Sequence, residues 1–193
     1  MTFAAAFLDR DGTINVKAPE GEYVETPDEV VLLPGAAEAI RTLNERGIPV
    51  IVVTNQRGIA LGRMTEEDLE RVHARLSELL AAEGARVDAW YHCPHDKGDC
   101  DCRKPGTAML ERAAREHGIA LARSVLIGDN ESDVEAGRRV GARTVRVAPN
   151  AGAGTADVAP DAPSLRDAVD APSLRDAVDG LLGAAPPAGE GPP

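Results

Sequence analysis

The stretch from Phe3 to Thr13 constrains this chain more than any other. An apolar run, Phe3 to Leu8, passes without a break into Asp9-Arg10-Asp11-Gly12-Thr13. Alternate side chains of a strand share a face, so Asp9 and Asp11 start out pointing the same way. Gly12 relaxes the steric limits where the chain must then turn. Two carboxylates that close repel each other unless a cation or a shared proton compensates. The economical reading is a Mg²⁺ site in which one carboxylate is also a nucleophile. A capped turn after a core strand uses the same residue types. Only partners elsewhere in the chain can separate the two readings.

The rest of the chain alternates between two periodicities. Pro34-Gly35 opens a helix with Ala36, Ala39, Ile40 and Leu43 at helical spacing, and Gly47 closes it. Ile48 to Val53 is an unbroken apolar run ending in Thr54-Asn55, the pattern of a parallel strand buried on both faces. Thr65-Glu66-Glu67-Asp68 is a capping-box start, and the helix that follows carries Leu69, Val72, Leu76, Leu79 and Leu80 as far as Gly84. His73 lies beside that stripe and reads as an ordinary helix residue. Val87–His92, Val125–Ile127 and Thr144–Val147 predict further strands, and Pro105–His117 and Asp133–Val140 predict helices. Ile14 to Val31 mixes Pro, Gly and charge and reads as a flap near the site. Strands alternating with helices predict an α/β domain, a Rossmann-like three-layer sandwich with a mainly parallel sheet. Ligands in such sheets lie beyond the carboxyl ends of the strands, where Asp9, Thr54 and Asp129 all fall.

With 193 residues, 43% of them hydrophobic, the chain suits one domain, expected over residues 1–150. A net charge of −11 argues against a nucleic-acid surface or an anionic membrane, yet leaves room for a small anionic substrate held by local cations. No long apolar span or signal-like start is present, so a cytoplasmic chain is expected, monomeric for want of an interface pattern. Cys93, Cys100 and Cys102 lie within ten residues. That is a poor disulfide framework; with His95 it is a Cys₃His set for a closed structural zinc site in loop 92–104. Free thiols or an iron–sulfur ligand set are the alternatives. Beyond Asn150 the composition turns to Ala, Gly, Pro and Asp, and Ala162–Asp170 is repeated verbatim as Ala171–Asp179. Leu174, Ala177, Val178, Leu181 and Leu182 form an amphipathic face, with Pro172 suited to a first turn. Residues 151–182 are therefore expected to be an extension in which one copy packs as a terminal helix, and 183–193 a disordered tail.

Four motifs recur in a telling order: Asp9-Arg10-Asp11-Gly12-Thr13, Val53-Thr54-Asn55, Arg103-Lys104-Pro105 and Gly128-Asp129-Asn130-Glu131-Ser132-Asp133. Together, from Phe3 to about Val147, they resemble the haloacid dehalogenase superfamily of phosphotransferases. The resemblance implies that Asp9 is a nucleophile forming an aspartyl-phosphate and Asp11 the general acid and base. It implies Mg²⁺ held by Asp9, Asp129 and the backbone carbonyl of Asp11, with Asp133 supporting the metal indirectly. Thr54 would bond a phosphoryl oxygen, and Lys104 would stabilise the phosphoryl group and orient Asp9. A binding module with a retired site would be expected to lack at least one of these groups; none is missing.

Within that superfamily the cysteine loop is similar to a group that holds the D-glycero-D-manno-heptose 1,7-bisphosphate 7-phosphatases and the histidinol-phosphate phosphatases. Gly21-Glu22-Tyr23-Val24 and the loop from Thr54 to Gly62 look like the heptose enzymes. The short gap between His95 and Cys100, Asn130 in place of a frequent Lys, and Arg57 in place of a frequent Ser depart from them. The likeness implies that Tyr23, Asn55, Gln56, Arg57, Arg103 and Asn130 meet a small phosphorylated sugar or amino alcohol. Arg57 would serve the second phosphate of a bisphosphate. Zinc, by pinning the loop that leads into Arg103 and Lys104, would aim both cations.

Overall fold

The structure is a computed structural model, and residues 3–148 and 169–183 are described. Six strands form one parallel sheet, in the order β3-β2-β1-β4-β5-β6. They are β1 (Ala6–Leu8), β2 (Val50–Asn55), β3 (Ala89–Cys93), β4 (Val125–Gly128), β5 (Arg143–Val147) and β6 (Val169–Ala171). The helices are α1 (Ala36–Glu45), α2 (Arg57–Ala60), α3 (Glu66–Ala82), α4 (Ala108–His117), α5 (Glu131–Arg139) and α6 (Leu174–Leu182). This is the Rossmann-like sandwich expected, and no segment between the described strands is large enough to form a separate cap domain.

Both faces of the sheet are covered, which is why its central strands read as unbroken apolar runs. Ala6, Leu8, Val50, Val52, Val125 and Ile127 point to the face covered by Ile40 and Leu43 of α1, Leu76 of α3 and Val178 of α6. Ala5, Phe7, Ile51, Val53 and Leu126 point the other way, towards Met109, Leu110 and Ala113 of α4 and Ala136 of α5. Phe7 is fully buried, and truncating it to Ala would cost about 3–5 kcal/mol. α3 starts at the expected capping box, where Thr65 and Asp68 exchange side-chain and backbone bonds. That cap is worth about 1 kcal/mol.

Most element bounds shift by one or two residues from expectation, and three differences matter more. β1 is shorter than Phe3–Leu8, since Phe3, Ala4 and Ala5 precede the paired residues. α4 begins at Ala108 rather than Pro105. Gly106 explains the delay: a Cβ there would sit 2.0 Å from the Asp101 carbonyl oxygen, so Pro105-Gly106 belongs to the wrapped loop and not to the helix. β6 was not anticipated, and it carries the sheet past residue 150. It pairs with β5, and α6 packs beside α1, where Gly35 lies against Arg175. Both elements use the second repeat copy and the last residues of the first. Residues 162–168 of the first copy, and the expected tail from residue 184, lie outside the described residues.

Register brings the motifs level. Leu8 is opposite both Val52 and Ile127, so Asp9 leaves β1 at the height of Val53 and Gly128.

Candidate active site

Asp9, Asp129 and Asp133 offer carboxylate oxygens within 4.8 Å of one another. Three elements bring them there: the turn after β1, the end of β4 and the first turn of α5. Gly128 makes the approach of α5 feasible, because a Cβ on it would lie 2.3 Å from Asp133 Cγ. Gly12, at φ +84°, serves the same purpose opposite Asp129, whose Oδ2 would be 2.4 Å from an added Cβ.

Lys104 is the cation of this cluster. Its side chain is 2% exposed, and its Nζ lies 2.8 Å from Asp9 Oδ1 and 2.5 Å from Asp133 Oδ1. It also donates to the Val53 carbonyl at 2.7 Å. Burial alone would pull this amine down; the charges of Asp133 and Asp9 more than offset it and hold Lys104 above the ordinary lysine range. Asp9 responds oppositely. Burial pushes it up to about 6, with Lys104 opposing and Asp133 and Asp11 adding repulsion. Asp129 is also raised, by burial first, against the pull of Lys17. Among the described residues its Oδ1 is buried without a hydrogen-bond partner. Converging carboxylates, two raised, with one orphaned buried oxygen, form a hard oxygen-donor set that suits a divalent cation such as Mg²⁺.

Asp11 is treated differently although it is only two residues away. Arg10, fully buried, grips it through Nε (3.1 Å to Oδ1) and Nη2 (2.8 Å to Oδ2). Asn15 donates to Oδ1 at 2.9 Å and Gln56 to Oδ2 at 3.0 Å. Burial alone would raise this carboxyl, but Arg10, then Asn15 and Gln56, hold it below the usual range. Environment thus separates two adjacent carboxylates.

Arg10 itself is braced. Its Nη1 lies 3.4 Å from Nε2 of His73 on α3, which stacks on Trp90 with ring centroids 4.4 Å apart. Burial first, then the Arg10 charge, pushes the His73 imidazole down to about 3, so it is neutral and accepts the contact at Nε2. Sequence reasoning passed over Arg10 and Asn15 and took His73 for an ordinary helix residue. The one available signal was an arginine set between two carboxylates in an otherwise apolar segment.

Thr54 stands at the end of β2 as expected, its Oγ1 accepting from Gln56 at 2.8 Å. Asn55 and Gln56, expected to face the substrate, are engaged inside the protein instead. The Asn55 amide accepts from Lys104 N at 3.0 Å and donates to Lys104 O at 3.1 Å. Gln56 is 1% exposed and joins Thr54, Asp11 and Arg10. Gln56 is buried and Asn55 half-buried, and both amides are engaged within the protein. Arg57 is paired with Asp96 of the cysteine loop at 2.5 Å, beside Tyr23, whose ring lies over Gly58. Arg103 Nη1 is buried without a hydrogen-bond partner among the described residues. Asn130 is exposed and caps α5, its Oδ1 accepting from Ser132 N at 3.2 Å.

The cysteine loop closes on itself. The Sγ of Cys93 is 3.4 Å from that of Cys100 and 3.1 Å from that of Cys102, and His95 Nδ1 is 3.2 Å from Cys102 Sγ. The sulfurs are too far apart for disulfides, and all three cysteines are free. Four donors that converge in this way could hold one metal ion. His92 points elsewhere, to Glu66 at 2.7 Å.

A parallel sheet with an acidic pair after β1, a hydroxyl after β2, a buried lysine and a second acidic cluster after β4 defines a phosphate-transferring hydrolase. Residues 2–141 match the family of haloacid dehalogenase-like hydrolases, and the chain belongs to it. Its relatives are phosphatases, and the chain is a phosphoric monoester hydrolase. It is 41% identical over 148 residues to the D-glycero-β-D-manno-heptose-1,7-bisphosphate 7-phosphatase of Pseudomonas aeruginosa, across 76% of this chain and 82% of that one. It is 42% identical over 154 residues to the D-glycero-D-manno-heptose-1,7-bisphosphate 7-phosphatase of Chlorobaculum tepidum, across 73% and 76%. It is similar to the crystal structure of D,D-heptose 1,7-bisphosphate phosphatase from B. bronchiseptica complexed with magnesium and phosphate. That match has a TM-score of 0.79 at 31% identity and covers 92% of this chain and 98% of the other. No described helix is long and apolar enough to cross a membrane.

Proposed function

We propose that this protein is a monomeric cytoplasmic enzyme that removes the 7-phosphate of D-glycero-D-manno-heptose 1,7-bisphosphate through an aspartyl-phosphate on Asp9. The observation that carries the reading is the Lys104 ion triad, which buries a cation against a carboxylate raised to about 6. Such a cluster is costly unless something uses it. The relatives' substrate supplies the choice of sugar.

Asp9 and Asp129, with the Asp11 backbone carbonyl, would hold Mg²⁺, and Asp133 would act on it through Lys104. Bound there, the metal neutralises phosphoryl oxygens and fixes the phosphate for in-line attack. A carboxylate oxygen of Asp9 attacks phosphorus, the bond to the sugar oxygen breaks, and Asp11 gives its proton to that oxygen. Water then attacks the aspartyl-phosphate while Asp11 takes its proton, releasing phosphate and restoring Asp9. With Arg10, Asn15 and Gln56 around it, Asp11 is the anion that the second step needs. The incoming phosphate dianion favours the protonated form that the first step needs. Lys104 and Thr54 bind phosphoryl oxygens, and Arg103 and Arg57 face the rest of the substrate. For Arg57 to take the second phosphate it must leave Asp96. Cys93, His95, Cys100 and Cys102 would hold a structural zinc with no open position for water.

The test is kcat/KM on heptose 1,7-bisphosphate, both anomers, against histidinol phosphate, with Asp9→Asn as control. A preference of about a hundredfold for the bisphosphate, or about 2.7 kcal/mol in transition-state binding, is expected. A preference for histidinol phosphate would overturn the substrate, and phosphate release by Asp9→Asn at the wild-type rate would overturn the mechanism.

A further inference from the structure

Lys17 lies in the flap between β1 and α1, and the reaction scheme gives it no task. Its Nζ is 2.8 Å from Asp129 Oδ2, a contact that joins the flap to the end of β4 across the mouth of the site. The side chain is 53% exposed, so no packing forces it there. Asp9 and Asp11 also act on its charge, so the ammonium answers to the carboxylates after β1 as well as to Asp129. Charge balance explains the geometry. Asp9, Asp129 and Asp133 carry three negative charges, and Lys104 bridges only Asp9 and Asp133. Arg10 is engaged by Asp11. Lys17 is the cation that answers Asp129.

A divalent cation at Asp9 and Asp129 would supply that positive charge itself. An ammonium and a metal ion on the same carboxylate repel each other, and only the ammonium rides on a movable side chain.

We propose that Lys17 competes with the divalent ion for Asp129: it latches the flap across the mouth and gives way when the ion binds. The inference rests on the reading of Asp9 and Asp129 as metal ligands. By linkage, whatever Lys17 contributes to the metal-free state it subtracts from metal affinity. Metal loading and release of the flap are then one event, which leaves Lys17 free above a charged substrate.

The test uses the full chain dialysed against resin-treated buffer, which removes Mg²⁺ while leaving tightly held zinc. Mg²⁺ binding is measured by calorimetry for wild type, Lys17→Gln and Lys17→Arg. An exposed ion pair predicts about two- to fivefold tighter binding by Lys17→Gln and wild-type affinity for Lys17→Arg. Flap release is read by a glutamate-specific protease, since Glu20 and Glu22 are exposed in the flap. Mg²⁺ should speed cleavage there in wild type, whereas Lys17→Gln should be cut fast with or without it. Unchanged or weaker Mg²⁺ binding by Lys17→Gln would overturn the latch and leave the metal site standing. So would wild-type cleavage indifferent to Mg²⁺. Failure of the wild type to bind Mg²⁺ at all would overturn both.

Discussion

Replacing His73 with Gln isolates a buried neutral imidazole that the fold must keep unprotonated. In the native protein burial and Arg10 hold His73 down to about 3, against 6.5 for the free side chain. A group whose native value is depressed in this way binds its proton only on unfolding when the pH lies between the two values. Stability is therefore intact above about pH 6.5 and drains away as the pH falls. At about pH 5 the unfolded histidine is almost fully protonated and the native one is not, a bias towards unfolding of about 2 kcal/mol. At about pH 7.5 the same term is below about 0.1 kcal/mol. Gln keeps an acceptor for Arg10 but cannot titrate. It gives up the stack on Trp90, at a pH-independent cost of about 1 kcal/mol. The assay is urea unfolding of both proteins at the two pH values, with Mg²⁺ saturating so that Asp9 stays ionised. Protonation of the ligands of the proposed zinc at low pH would affect both proteins equally, so that contribution cancels. The variant should be the less stable protein at the higher pH and should equal or overtake wild type at the lower one. Parallel losses would refute the picture of His73 as a neutral brace for Arg10.

Two further outcomes test the periphery of the site. Removing the proposed zinc while Mg²⁺ is kept should lower kcat/KM by roughly tenfold or more, with recovery on adding zinc back, because a freed loop would no longer fix Arg103 and Lys104; full activity in zinc-free protein would count against that coupling. Deleting Ala162–Asp170 puts Pro160 where Val169 now opens β6, a position at the start of an edge strand that tolerates proline. Activity should be unchanged and the midpoint of thermal unfolding should fall by no more than about 4 °C; a larger loss of either would mean that the first copy supplies more than the replaceable Val169 and Asp170 of β6.

What the sequence disclosed and what it hid divide along a physical line. Apolar runs of β-branched residues show burial on both faces, so β2 and β4 were legible, as were the groups at their ends. The capping box at Thr65 and the cysteine spacing are local signals and were equally plain. Contacts made only by the tertiary fold left no local trace. His73 on α3 meets Arg10, 63 residues away in the chain, and Lys17 meets Asp129 because the flap folds back over the mouth. Asn55 and Gln56 follow Thr54 where the chain looks substrate-facing, yet Asn55 bonds the Lys104 backbone and Gln56 bonds Thr54 and Asp11. β6, only Val169-Asp170-Ala171, is too short to show a period, and its place is set by the free edge of β5.

The two carboxylates that open the chain draw their counter-charges from sources of unequal durability. Asp11 is neutralised by its own neighbour, Arg10, so the counter-charge itself need not be delivered from elsewhere in the chain. Asp9 depends on Lys104, delivered from far downstream by a loop that its thiols and imidazole hold shut. On the roles proposed for them, heat, oxidation or loss of a metal held by that loop would disarm Asp9 as nucleophile while Asp11 stayed in place as general base. An enzyme that fails in that order can still discharge a phosphoryl group already loaded but cannot load another. It stops empty.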